Sequence, residues 1–461
     1  MFFTMSKQVI EKNRQFYTQM LDEEHLLIQF DQLIDWDFIL EEVTKYYAMT
    51  PIGRPTIDPL IIIKMLFIQG LEGFRSVRQT CKQIKSNVTY RWFLGISSWS
   101  TVPNHSTISR FLWNRLNGEN FWMRLFTEQL RLIMKEGFIA NETWAADETE
   151  LKANANKRVR EKRPVQKEVE ESTEDLEKIN AFRIENGKKP LKPAETKIIH
   201  HPTNFSPVDE DARLSVKHVE RGQFAFFEHR VVDTLHGFII ATEVTSANVP
   251  GHRILPGQVD ELKAMFGAYA KEITLDAGYY NARCANALFE RGFFVSMPYK
   301  APRTKEHKDC KRIQFKQVNK ATYCCPMGIP FRYTTSTRQG YHEFKPLKGS
   351  CLNCPYSLKE KQDRVLRISI HQPTYDRLRE MRLSSRGKIL KLVRPQTIEL
   401  SFAHSKEYHG LRYARYRGIP KVKTQVLMTA IIQNLKKWAK LRSLQQIGLH
   451  LTYQIIEDWF Q

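Results

Sequence analysis

Apolar positions along this chain follow two rhythms, and the change between them falls between residues 125 and 143. Residues 20 to 125 keep a helical period. Asp58-Pro59 opens a strongly apolar segment, Leu60 to Leu71, with proline admissible in a first turn. Gly70 and Gly73 are expected to break it. Arg75 to Lys85 resumes at helical spacing, with Val77, Cys81 and Ile84 on one side. A third unit starts at Val102-Pro103-Asn104-His105-Ser106-Thr107, where Asn104 or Ser106 can cap a helix carrying Ile108, Phe111 and Leu112. Arg110 and Arg115 fall on its other faces. Such short helices suit a helix-turn-helix-like DNA-binding module, and equally a helical bundle with a basic face.

From 143 to 300 the rhythm shortens. Thr143–Thr149, Phe224–Val232 and Gly237–Thr245 read as strands, the last two joined by the turn Asp233-Thr234-Leu235-His236. A helix over Ile254–Ala270 leads to a strand at Ile273–Asp276. Another helix (Ala282–Arg291) and strand (Phe293–Met297) follow. This order predicts an α/β fold, a mixed sheet with helices packed on it. The expected layout is an all-helical domain over 1–130, a catalytic domain over 140–440 and a helical tail over 441–461. Two stretches interrupt the sheet: a Lys/Arg/Glu-dominated insertion at 152–205, expected to be solvated helix or disordered, and a basic, cysteine-containing one at 300–390.

The charge balance narrows the partners. Lys and Arg number 71 against 50 Asp and Glu in 461 residues, a net charge of +21, with pI near 9.6. That surplus favours a polyanion, nucleic acid or an acidic membrane surface. The membrane option is weak, because the longest apolar run, Leu60 to Leu71, is too short to span and contains Lys64. The N-terminus lacks the charged-then-apolar order of a secretory signal, so a cytoplasmic protein is expected. Seven cysteines form no regular framework. Cys324, Cys325, Cys351 and Cys354 cluster in sequence, and two readings stay open: a small structural Zn²⁺ site, or buried reduced thiols.

Candidate chemistry lies in three carboxylates. Asp147 and Asp276 each close a short apolar run, and Glu399 sits seven residues before Lys406, two helical turns on the same face. Two Mg²⁺ (or Mn²⁺) ions can drive in-line phosphodiester cleavage, and such hard cations take carboxylate oxygens. Asp376 to Lys423 holds 13 Lys and Arg against 4 Asp and Glu, which supplies salt-sensitive phosphate binding. Bland alternatives exist for each residue: a strand-end aspartate caps turns, and Glu399 with Lys406 can be a solvated helix face. Glu148 and Glu150 read as surface partners of Lys152, and Asp211 as a partner of Arg213 or a turn cap.

Several blocks, in order, resemble those of bacterial insertion-sequence transposases of the DDE type, from about residue 20 to 440. Gly53-Arg54-Pro55 with Ile57-Asp58-Pro59, Tyr90-Arg91-Trp92-Phe93-Leu94-Gly95 and Val102 to Thr107 look like that family's N-terminal helical domain. Asp147 with Lys152 to Asn156, Asp211-Ala212-Arg213, Asp276-Ala277-Gly278-Tyr279 and Ile398-Glu399-x-x-Phe402-x-x-x-Lys406 match further blocks. Gly410 to Gly418, with Arg412, Arg415 and Arg417, completes the signature. The resemblance implies an RNase H-like core with Asp147, Asp276 and Glu399 as catalytic metal ligands. It also implies double-stranded DNA ends and target as substrate, a homodimer or higher oligomer on DNA, and a nucleoid-associated prokaryotic setting. Lys406 would contact DNA near the cleaved end, and Arg110, Arg412, Arg415 and Arg417 would bind DNA. Arg394 would be the arginine preceding the glutamate, although four residues separate the two where relatives often have the arginine three before it. Glu148-Thr149-Glu150 is also more acidic than the family pattern. Competing readings are a catalytically silent, domesticated DNA-binding relative and a nuclease that only hydrolyses.

Overall fold

The structure is a computed structural model. It describes residues 4–22, 25–47, 56–116, 119–169, 172–194, 197–215, 222–299, 314–351, 354 and 363–446. Gly53-Arg54-Pro55 and tail residues 447–461 lie outside these. The helix Ile419–Gln446 carries the first part of the expected tail.

N-terminal residues fold into short helices around Pro59–Leu71, which is buried almost throughout. Its Asp58 cap accepts the Leu60 amide at 2.9 Å, satisfying a donor that the helix leaves open. Gly70 does not break this helix. A Cβ there would lie 3.0 Å from Ile432 Cγ1, so glycine serves close packing against the 419–446 helix. Gly73, at φ +64°, does make the turn.

Among the described residues thirteen strands follow. They are β1 (Thr143–Lys152), β2 (Glu161–Val169), β3 (Lys197–Ser206), β4 (Asp209–Ser215), β5 (Gln223–Asp233), β6 (Ile239–Ser246), β7 (Glu272–Thr274) and β8 (Phe294–Ser296), then β9 (Lys316–Asn319), β10 (Thr322–Cys324), β11 (Pro330–Thr337), β12 (Tyr341–Lys345) and β13 (Leu366–Ser369). The central sheet runs β6-β5-β1-β7-β8. β5 is antiparallel to both of its neighbours, β6 and β1, while β7 and β8 run parallel to β1. This mixed sheet with flanking helices is the RNase H-like arrangement expected.

Both insertions contain more regular structure than their composition suggested. The first holds β2, β3 and β4 with the helix Thr173–Glu185, and β4 pairs onto the start of β5. Residues Glu161–Gln166 of β2 are all exposed, and such a polar strand carries no apolar alternation to announce it. The second forms a separate five-stranded sheet, β13-β12-β11-β10-β9, with its own core of Phe315, Tyr323, Phe331, Phe344, Leu366 and Ile368.

One apolar core runs from Leu27 in the helical region through Trp144 and Val295 in the sheet to Trp438. The 419–446 helix joins the two parts. Gln129 donates to the Ile431 carbonyl at 3.0 Å, and Asn434 exchanges two hydrogen bonds with the Ile239 backbone. No described helix is long and apolar enough to cross a membrane.

Candidate active site

Strand register brings Asp147 and Asp276 together. β1 and β7 pair in parallel from Thr143↔Glu272 to Ala145↔Thr274. Two residues on stand Asp147, still within β1, and Asp276, just past the end of β7, so the two carboxylates follow the last paired residues at the same level. Asp147 is not at the end of its own strand, as its apolar run implied. β1 continues to Lys152 because antiparallel β5 covers it from Trp144 onward. The parallel neighbour is what ends, and that opens space beside Asp147.

Beyond β7 the chain turns through Ala277–Tyr279. Asp276 Oδ1 accepts the Gly278 amide at 2.7 Å, and a Cβ at Gly278 would lie 2.9 Å from that oxygen. Tyr279 is 2% exposed beneath the site. Burial, then the Asp147, Glu148 and Asp276 charges, raise its hydroxyl well above 10, so it stays neutral.

Glu399 arrives from the opposite side. Asp147 pairs across β5 with Arg230, and that face is covered by the helix Leu400–Tyr408. Arg230 is fully buried. It donates to Ser401 Oγ (2.7 Å) and Ser405 Oγ (3.1 Å), ion-pairs with buried Glu228 and lies 4.4 Å from the Phe402 ring centroid. These contacts fix the helix, and with it Glu399, against the strand that carries Asp147.

The segment Pro395–Glu399 is a π-helical turn. A π turn closes at i+5, so Arg394 and Glu399 stand one turn apart on the same side. The wider spacing in the sequence is thereby absorbed. Arg394 Nη2 donates to Asp147 Oδ2 at 2.7 Å, and its Nη1 lies 3.7 Å from Glu399 Oε1. The guanidinium is 11% exposed and its Nε is buried without a hydrogen-bond partner.

This arrangement bears on metal binding. Among the described residues no group of three or more His, Cys, Asp or Glu is arranged to hold an ion. Instead the Arg394 cation bridges Asp147 and Glu399. All the donors are carboxylate oxygens, the type a hard divalent cation takes. The residues thus fit Mg²⁺ or Mn²⁺ in chemistry, with Asp147 and Glu399 first giving up Arg394. The same finding covers Cys324, Cys325, Cys351 and Cys354, which are free thiols not gathered as a zinc set.

The basic residues divide. Lys406 is half-buried and donates to Thr149 Oγ1. Burial lowers its ammonium pKa, against the opposing pull of Glu228. Arg412 is exposed beside Glu407, Arg417 is exposed and donates to the Asn154 carbonyl, and Arg110 is exposed. Arg415 points inward to the His409 carbonyl at 3.1 Å.

The acidic neighbours are structural. Glu148 accepts the Gly251 amide at 2.6 Å, capping the helix Gly251–Phe266 behind a Pro250 that has no capping side chain. Glu150 accepts from Ser215 and Gln223. Neither is a surface partner of Lys152, since each points across to a neighbouring element. Asp209 and Asp211 accept the Gly418 and Ile419 amides at the start of the 419–446 helix. Sequence reasoning missed Arg230, Glu228 and Tyr279. A buried arginine is signalled only by its place inside the apolar run Phe224–Val232.

Comparison with known proteins points to transposases. A family model described as Transposase domain (DUF772) matches residues 15–113, and one described as Transposase DDE domain matches residues 324–439. The two matches support a transposase of the DDE type. The second match includes Arg394, Glu399 and Lys406 and begins after Asp147 and Asp276. A solved cryo-EM structure, a piggyBac transposase synaptic complex with hairpin DNA, is similar at 10% identity. The similarity covers 94% of this chain and 79% of that one, with a TM-score of 0.36. No curated protein matches.

Proposed function

We propose that this chain is a transposase that binds the terminal inverted repeats of its own element, cleaves DNA 3′ ends with divalent-metal assistance and joins them to target DNA. One observation carries the reading: Asp147 and Asp276 follow the last paired residues of neighbouring strands at one level, while Arg394 ties Asp147 to Glu399. Asp147, Asp276 and Glu399 would hold the ions, which when bound supply Lewis acidity at the scissile phosphate. Arg394, released from Asp147, is placed to receive a phosphate oxygen in a bidentate manner. Tyr279, neutral and buried, provides a dry floor beneath the carboxylates. Lys406 holds Thr149 on the strand that carries Asp147 and presents its charge toward the backbone of bound DNA. Exposed Arg412, Arg417 and Arg110 supply non-specific phosphate contacts. Holding two DNA ends together calls for a dimer or higher oligomer.

The test uses the full chain with Mg²⁺ and a duplex carrying the element's own terminus. Nicking and strand-joining should appear in wild type and vanish in Asp276→Ala. Equal product from both proteins defeats the catalytic assignment. DNA binding without product from wild type favours the silent DNA-binding alternative, and nicking without joined product the purely hydrolytic one.

A further inference from the structure

From Gly73 to Gly118 the chain has no Asp or Glu in 46 residues, against seven Lys and Arg. The helix Val77–Ser86 buries Thr80, Cys81 and Ile84. Arg78, Lys82 and Lys85, spaced i, i+4 and i+7, are exposed along one outer face, with Arg75 just ahead of them. A cationic stripe with no carboxylate to neutralise it fits a polyanion.

Beside the C-terminal end of that stripe stands a tight turn, Ser97–Ser100. It is closed by the Ser100 amide to the Ser97 carbonyl at 3.1 Å and by a Ser97–Ser100 hydroxyl pair at 2.8 Å. Arg91 pins it, donating through Nη1 to the carbonyls of Ser97 (2.8 Å) and Ser100 (3.2 Å) and through Nε to that of Lys85 (3.4 Å). The preceding residues are held too: Tyr17 donates to the Ile96 carbonyl and Asn13 to that of Gly95. On this fixed turn sits Trp99, 93% exposed, the most exposed large hydrophobic side chain among the described residues. Every other described tryptophan is buried or half-buried.

An indole held out on a pinned turn beside a cationic stripe suits a partner that offers flat π-faces and a phosphate backbone together. We infer that Trp99 is a base-stacking contact: it packs on an unpaired or unstacked nucleobase of DNA whose phosphates follow the Arg75–Arg78–Lys82–Lys85 stripe. Aromatic side chains stack on any base because every base has a π-face, and wedges of this kind open base steps. A protein partner would have to be acidic to sit here, and a second copy of this +21 chain is not. The inference rests on the DNA-acting reading above and adds to it a base contact in the helical region.

The probe is a short duplex with one unpaired 2-aminopurine, titrated with the full chain across a salt series. Wild type should bind it and quench the probe. Trp99→Ala should bind about 5- to 150-fold more weakly (roughly 1–3 kcal/mol) and lose the quenching, while Trp99→Phe keeps most of both. Because Trp99 touches no phosphate, the slope of log affinity against log salt should stay unchanged in Trp99→Ala. Arg78→Ala with Lys82→Ala should instead lower that slope by about one unit per residue and keep the quenching. Undiminished affinity and quenching in Trp99→Ala overturn the inference. So does loss of self-association on sedimentation with DNA binding intact, which reassigns Trp99 to a protein contact. Failure of the DNA-acting reading looks different: wild type and every variant would then bind no duplex at any salt.

Discussion

Arg394 bridges Asp147 and Glu399, and a guanidinium and a divalent cation compete for the same carboxylate oxygens. Arg394→Gln leaves Asp147 and Glu399 facing each other without a counter-charge, so the metal-free protein should melt at a lower temperature. Added Mg²⁺ should then raise the melting temperature more than it does in wild type. Equal shifts in the two proteins would show that the guanidinium does not compete. Arg230 is a different case. It is buried with Glu228, whose Oε2 already lacks a hydrogen-bond partner. Removing the arginine strands a carboxylate away from water, which costs about 3–5 kcal/mol. Urea unfolding of Arg230→Met should show a loss of that size, and Arg230→Met with Glu228→Gln should recover much of it. Residue types flagged Asp147, Asp276 and Glu399 in the sequence, since carboxylates at run ends are visible there. Arg230 was not visible, because nothing local distinguishes a buried arginine from one snorkelling at a strand edge.

Among the elements, the π turn Pro395–Glu399 decides whether Arg394 reaches the site. Inserting an alanine after Gln396 should add about 100° of helical rotation between Arg394 and Glu399 and carry the guanidinium away from the carboxylate. DNA nicking should fall to the level of Asp276→Ala, while far-UV circular dichroism and the unfolding midpoint change little. Retained nicking would mean that the register of this turn is immaterial. Pattern reading located the helix around Phe402 but not its wound-out start, because an inserted residue leaves the apolar spacing on both sides intact. The same limit explains the insertions. β2 and β3 pair from Glu161↔Phe205 to Val169↔Lys197, and Glu161–Gln166 of β2 are all exposed, so no buried face imposes alternation on them. β5 and β6, by contrast, carry long apolar runs and were legible to within two residues. At the far end of the Leu400–Tyr408 helix, Gly73 shows an element junction at work. Its positive φ and the 2.5 Å that a Cβ would leave to the Tyr408 carbonyl make Gly73→Ala a backbone clash. That substitution should weaken the docking of the helical region on the signature turn that follows Tyr408.

Across the whole molecule, helical region and sheet share one apolar core, and a buried imidazole sits at their seam. His409 closes the helix Leu400–Tyr408, and its Nδ1 is 2.9 Å from the Gly70 carbonyl of the Pro59–Leu71 helix. As Nδ1–H it donates to that carbonyl. Burial, chiefly, brings its pKa from 6.5 down to about 4. In the unfolded chain the ring takes up a proton near pH 6.5, whereas the folded state resists until about pH 4. The stabilisation is therefore complete above pH 6.5 and is lost as pH falls toward 4, with a slope of about 1.4 kcal/mol per pH unit. His342, buried in the second insertion, is also pushed to about 4 by burial and adds a second proton of the same sign in the same window. Because His409 bridges the two regions, its contribution should also register as looser docking. His409→Gln, which can still donate to the Gly70 carbonyl, should shed one proton from the pH-dependence of urea unfolding between pH 6.5 and 4. His342→Gln should shed the other without altering protease resistance at the junction near Gly70. Unfolding that keeps the wild-type acid slope in His409→Gln would place the controlling proton elsewhere and remove pH from the account of this seam.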